Sequence, residues 1–288
     1  MTPSSSYDQV HQDFKNFIGK LDMNWDMVEG ALLIARQQYP DLDEVKYKDL
    51  VEVMARRAVE KLSKASTKLQ KISALNSFFF DELGFHGNAD EYYDPRNSYL
   101  SDVLERKEGI PITLSMIYLV LGWKAGLPLH GINFPGHFLV EWRESPADMT
   151  QNVFIDVFGG GKILSVEDLQ ERLNKNMGSP QKFEPVFHLQ SAGIRGILHR
   201  ALGNLKAIHA SQGQVERALW ATEWMLMLKS NDWNSLRDKG LFSYSLGNYE
   251  QAEECLETYL EKTGKPVDYA QVWQVLYAMK SRNNINLN

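Results

Sequence analysis

A chain of 288 residues, 43% of them hydrophobic, can bury a large core and has room for two domains at about 100–200 residues each. Its net charge of −6 argues against polyanion binding, which rests on many Lys and Arg contacts, so no nucleic-acid partner is expected. A single cysteine, Cys255, excludes an internal disulfide and a thiolate metal cage.

The chain opens on the polar run "MTPSSSYDQVHQD", so no secretory leader is expected. From Tyr7 to about Phe80 apolar residues recur at helical spacing, and "YPDLD" and "SKAS" divide the stretch into three or four helices. In "MVEGALLIARQQY" a stripe of Met27, Ala31, Ile34 and Ala35 contrasts with Glu29, Arg36 and Gln37 facing away. A turn-rich segment from Gly84 to Asn97 follows, with Asn97 expected to N-cap the helix "SYLSDVLERKEG". Pro111 then suits the first turn of a helix that stops at Gly126 and Pro128, and its apolar residues on every side predict a central, buried position. At 12 residues, its apolar run from Ile112 to Trp123 is shorter than the roughly 18–20 needed to span a bilayer, so a cytoplasmic protein without a membrane partner is expected.

Three short strands are predicted next, in "LHGINF", "HFLVEW" and "NVFIDVF", the last two joined by a polar hairpin loop, "RESPADMTQ". Ser165 and Asp168 form a capping box that starts the helix "VEDLQERLN". Beyond residue 190 the sequence repeats at an offset of 34, with Gly213 over Gly247, Ala218 over Ala252 and Leu226 over Leu260. That is the tetratricopeptide period. The fold class is therefore α+β: a helical N-terminal layer over 1–85, a core over 86–189 with a small antiparallel sheet on the buried helix, and an all-α repeat module over 190–288.

Two residues could carry chemistry together. His137 stands between a Pro-Gly turn and a strand, and Asp156 lies within the next strand-like run, which ends in three glycines. Paired strands would bring both to one end of the sheet, where a carboxylate can fix an imidazole tautomer. Read alone, His137 is more often a structural residue, and Asp156 is as readily a turn cap as a partner of the imidazole. A nucleophile belongs at the start of the buried helix, where free N–H groups and the helix dipole act. That turn offers Pro111, Ile112, Thr113, Leu114 and Ser115, and the hydroxyls of Thr113 and Ser115 are usually backbone hydrogen bonders in such positions. "GGGKI" lacks phosphate-loop spacing, and the remaining histidines show no paired ligand spacing, so neither a cofactor nor a metal is expected. Cys255, on a repeat helix, reads as a small buried hydrophobe.

The run "NSYLSDVLERKEGIPITLSMIYLVLGWKAGLPLHGINFPGHFLVEW", with the later "FIDVFGGGK", resembles the SirB-type branch of the transglutaminase-like superfamily, and the likeness extends over nearly the whole chain. The resemblance implies a papain-like pocket in which active members use a Cys at the start of the central helix, a His opening one strand and an Asp on the next. His137 and Asp156 match the last two; the cysteine has no counterpart among residues 111–115. The expected function is that of a noncatalytic transglutaminase-like protein with regulatory or protein-interaction roles, binding a protein or peptide through the repeats or the His137 pocket. The alternative is a hydrolase or acyltransferase using Ser115 or Thr113 as nucleophile, His137 as base and Asp156 as its orienter.

Overall fold

The N-terminal half begins with helices α1 (Pro3–Ile18), α2 (Met27–Arg36), α3 (Glu44–Leu62) and α4 (Lys68–Asn76), the last running into a π-helical turn, Ser77–Glu82, that buries Phe78 and Phe79. The computed structural model describes residues 3–144 and 151–285; residues 145–150 of the expected hairpin loop lie outside them. Asp26, Asp43 and Thr67 each N-cap the helix that follows by accepting a first-turn N–H, which fixes where α2, α3 and α4 begin. The expected stripe on α2 is too narrow, because Val28, Gly30, Leu32 and Leu33 are buried as well as Met27, Ala31, Ile34 and Ala35. This helix is enclosed by α1, α3 and helices described next, so its environment comes from tertiary packing.

Strand β1 (His86–Gly87) pairs in parallel with β2 (Glu108–Gly109), and α5 (Leu100–Arg106) lies between them in sequence. Asn97 does not cap α5. Pro95 starts a 3-10 turn, Pro95–Asn97, capped by Asp94, and this moves the helix start to Leu100 with Tyr99 before it. Asn97 is instead fully buried; its amide donates to Glu91 O at 2.7 Å, and its oxygen accepts from Arg106 at 3.2 Å.

Helix α6 (Pro111–Lys124) buries every residue from Pro111 to Gly122, while Trp123 is 36% exposed and donates from its indole to Leu129 O at 2.7 Å. Strands β3 (Leu129–Ile132), β4 (Leu139–Trp142), β5 (Val153–Asp156) and β6 (Lys162–Leu164) follow, then α7 (Val166–Met177), the single turn α8 (Pro185–His188), β7 (Ser191–Ala192) and α9 (Ile194–Ser211). The sheet order is β6-β5-β4-β3-β7, antiparallel throughout. Two of its strands, β6 and β7, extend the three that the sequence suggests.

The sheet is covered on both faces. A Cβ at Gly122 would come within 2.3 Å of Leu129, so α6 crosses the face that carries Leu129, Val140 and Ile155 at closest range where it has a glycine. On the other face Leu139, Phe154 and Leu164 pack with Leu169 and Leu173 of α7 in one cluster. The capping box of α7 forms as the sequence indicates: Asp168 N donates to Ser165 Oγ at 3.1 Å and Ser165 N to Asp168 Oδ2 at 2.8 Å.

The chain divides into two compact units, Met1–Ala201 and Leu202–Asn288, and the division falls within α9. The reason lies in the first turns of α9, where Leu198 packs against Gly30 and Ile197 against Gly131. The second unit continues through α10 (Val215–Leu228), α11 (Trp233–Ser245), α12 (Tyr249–Thr263) and α13 (Tyr269–Ile285). Gly213 and Gly247 both take positive φ, 70° and 81°, to turn the chain one repeat apart, and Ala218 and Ala252 are both fully buried. No helix among the described residues is long and apolar enough to cross a membrane.

Candidate functional site

His137 sits in the turn that enters β4, not on the strand itself. The turn closes with His137 N donating to Phe134 O at 3.0 Å, and Gly136 takes φ +67° there. A side chain at Gly136 would be strained by that φ and would also come within 3.0 Å of Asn176 on α7. Asn176 itself donates to Pro135 O at 2.7 Å. Burying Leu169 and Leu173 thus turns α7 so that another of its residues holds the histidine turn.

Asp156 is the last residue of β5, and the antiparallel register Val140↔Ile155 brings it to the same end of the sheet as His137. His137 Nε2 and Asp156 Oδ1 are 2.8 Å apart. A carboxylate only accepts, so Nε2 carries the proton and donates, leaving Nδ1 as the open ring nitrogen. No residue among those described hydrogen-bonds to Nδ1. Asp156 also serves its local turn, since its Oδ1 accepts from Gly159 N at 3.0 Å and its carbonyl from Gly161 N at 2.8 Å. The contact with the imidazole and the cap of the glycine turn are therefore combined in one residue.

Arg172 of α7 completes the cluster, donating to Asp156 Oδ2 at 2.7 Å. Asp156 is 3% exposed, and burial works to raise its pKa. The hydrogen bond from His137, the charges of His137 and Arg172 and the Gly159 N–H outweigh burial, holding the carboxyl below its ordinary range. The glycine turn is anchored from behind: Asn76 donates to Gly161 O at 2.9 Å and accepts from the buried Tyr118 hydroxyl at 2.8 Å.

The hydroxyls at the start of α6 lie elsewhere in the hydrogen-bond pattern. Thr113 is fully buried; its hydroxyl donates to Asn97 O at 2.7 Å and accepts from Ile110 N at 3.2 Å. Ser115 is also fully buried, and its Oγ has no hydrogen-bond partner among the described residues, His137 included. The structure thus joins His137 to Asp156 and joins neither hydroxyl to them. Cys255 is buried on α12, where burial raises its thiol pKa.

Several residues that frame His137 carry no local signal in the sequence. Phe158 faces the His137 ring edge-on at 6.2 Å and the Tyr92 ring at 6.0 Å, and it packs directly on the bare Cα of Gly87. Arg200 of α9 reaches the His137 carbonyl, with 3.4 Å between the atoms. Arg172 and Arg200 lie 16 and 63 residues along the chain from their partners, beyond any periodic pattern.

The family model of the transglutaminase-like superfamily matches residues 45–203. The model of the tetratricopeptide repeat matches residues 205–276. A UPF0162 protein of Xylella fastidiosa (strain 9a5c) is 39% identical over 237 residues, covering 82% of this chain and 83% of its own length. A UPF0162 protein of Vibrio cholerae is 30% identical over 237 residues, covering 82% of this chain and 86% of its own. The F-box only protein 21 of Homo sapiens is 32% identical over 148 residues, which is 50% of this chain and 22% of that protein. The chain belongs to the transglutaminase-like superfamily and, within it, to the UPF0162 family.

Proposed function

We propose that the chain is a SirB-type transglutaminase-like protein whose His137 and Asp156 form a binding site rather than part of an acyl-transfer centre, and that it acts in regulation or protein interaction. The observation that carries this reading is the engagement of Thr113, whose one proton goes to Asn97 O at 2.7 Å. A hydroxyl nucleophile needs a base within about 3.2 Å, or through one water, to become reactive. Thr113 spends its proton on the backbone, and Pro111, Ile112 and Leu114 have no nucleophilic group. The repeat module gives the protein a helical surface of the kind that holds protein partners.

Ser115 keeps a second reading in view, since a buried hydroxyl with no partner is an energetic cost and one remaining nucleophile candidate. A fluorophosphonate probe separates the two. No labelling at Thr113 or Ser115 is expected in the native protein, and His137→Ala is expected to change ligand affinity only a few-fold. Labelling of Ser115 that disappears in His137→Ala would replace the binding reading with that of a serine hydrolase or acyltransferase.

A further inference from the structure

Among the described residues, half-buried arginines pair with a carboxylate, with one exception. Arg36 pairs with Asp13, Arg106 with Glu108, Arg143 with Glu141, Arg172 with Asp156, Arg195 with Asp22 and Arg237 with Asp268. Arg200 has no carboxylate partner among the described residues. Its contacts are two neutral oxygens at the outer limit of a hydrogen bond, Asn133 Oδ1 at 3.5 Å and the His137 carbonyl at 3.4 Å. A guanidinium partly withdrawn from water without a counter-ion is unfavourable, and a ligand carboxylate would supply the missing charge.

The surroundings of Arg200 describe that ligand. His137 presents its open Nδ1 on the same short turn, and Phe158 and Tyr92 form an aromatic wall beside the imidazole. Burial holds the Arg200 guanidinium below its ordinary pKa, with the Tyr92 hydroxyl opposing that effect, so Tyr92 lies within electrostatic range of it. Asp156, the carboxylate that pairs with His137, is already held by His137 and Arg172. What remains is a cation with a planar fork of donors, a ring nitrogen and apolar surface.

We infer that Arg200 is the anchor of a carboxylate-binding subsite at the His137 site, accepting a ligand whose carboxylate pairs with the guanidinium while its apolar part lies on Phe158 and Tyr92. A carboxylate matches the guanidinium fork in two parallel hydrogen bonds, which a point-like donor such as lysine does not provide. The inference rests on the reading of the His137 site as a binding site, and it adds the chemical class of what is bound.

The test uses the full chain and three probes: N-acetyl-Ala-Ala with a free α-carboxylate, the same dipeptide as its C-terminal amide, and N-acetyl-Glu-amide, whose only carboxylate is on the side chain. Saturable shifts of the His137 ring and Arg200 side-chain NMR signals are expected with a carboxylate and not with the neutral amide. The two carboxylate probes distinguish a peptide C-terminus from an acidic side chain. Arg200→Gln should weaken carboxylate binding by at least about tenfold, with Arg200→Lys retaining part of it. Because Arg200 has no internal counter-ion, its Gln variant should melt no lower than the parent, whereas Arg172→Gln should melt lower.

Equal shifts from the amide, undiminished binding by Arg200→Gln, no saturable response to either carboxylate, or a marked fall in Tm for Arg200→Gln would each overturn the subsite. Fluorophosphonate labelling of Ser115 decides the noncatalytic reading on its own. Labelling with carboxylate binding intact would remove that reading and leave the Arg200 subsite standing; absent labelling with absent carboxylate binding would do the reverse.

Discussion

Ile117→Asp will lower the stability of the protein by at least about 4 kcal/mol, enough to consume much of the net stability of an ordinary domain. Ile117 is 2% exposed, in the middle of a helix that is buried from Pro111 through Gly122. The neighbours Leu114, Tyr118 and Leu121 are each completely buried, so no shift of the helix brings a carboxylate at 117 to water. Two losses add: the apolar contacts of the isoleucine, and the desolvation of an acid that must stay unpaired or protonate. Urea unfolding measures the effect, and Ile117→Val provides the scale, with an expected loss of about 1 kcal/mol for one methylene. A midpoint for Ile117→Asp equal to that of the parent would show that α6 can leave the core without cost, contrary to its position between the sheet and the N-terminal helices.

Features of the sequence that were legible are those fixed by neighbours in the chain. The burial of α6 is written in its apolar residues on all sides, the start of α7 in Ser165 and Asp168, and the repeat in glycines 34 residues apart at Gly213 and Gly247. Features that depend on distant partners were not. Strands β6 and β7, of three and two residues, are too short for a period-two pattern to emerge, and they exist because β5 and β3 offer free edges. Asn97 has a cap's chemistry, but Pro95 and Asp94 begin a tighter turn first and leave it buried.

The same division runs through the site. Two strands on either side of a polar loop were enough to bring His137 and Asp156 to one end of a sheet, and the 2.8 Å contact follows from register. Arg172 and Asn176 come from α7, whose rotation is set by the burial of Leu169 and Leu173, and only packing reveals that the helix serves both turns. Thr113 is the reverse case. Its hydroxyl at the head of α6 could be read as nucleophile or backbone hydrogen bonder, and the acceptor that engages it, Asn97 O, comes from another segment 16 residues earlier.

Asp156→Asn will destabilise the protein by about 3 kcal/mol at neutral pH, in the range measured when one partner of a buried ion pair is removed. The asparagine is the same size and can still accept from His137 Nε2 and Gly159 N through its oxygen. Its NH2 group then faces the Arg172 guanidinium, donor against donor, and the negative charge shared by Arg172 and His137 is gone. The pH dependence identifies the cause. Asp156 has a folded-state pKa below the ordinary value of 3.8, so its contribution to stability is fully present above 3.8 and is lost as pH falls through the lower folded value. The stability gap between parent and Asp156→Asn should therefore be widest near neutrality and close as the solution is acidified below 3.8, where the parent carboxyl also becomes neutral. Paired urea titrations of the two proteins from pH 7 downward measure that gap, and subtracting one from the other cancels the titration of the other carboxylates. A gap that stays constant from neutral to acid pH would assign the loss to turn geometry at Gly159 and Gly161 and would remove the charge of Asp156 from the account of what holds His137 in place.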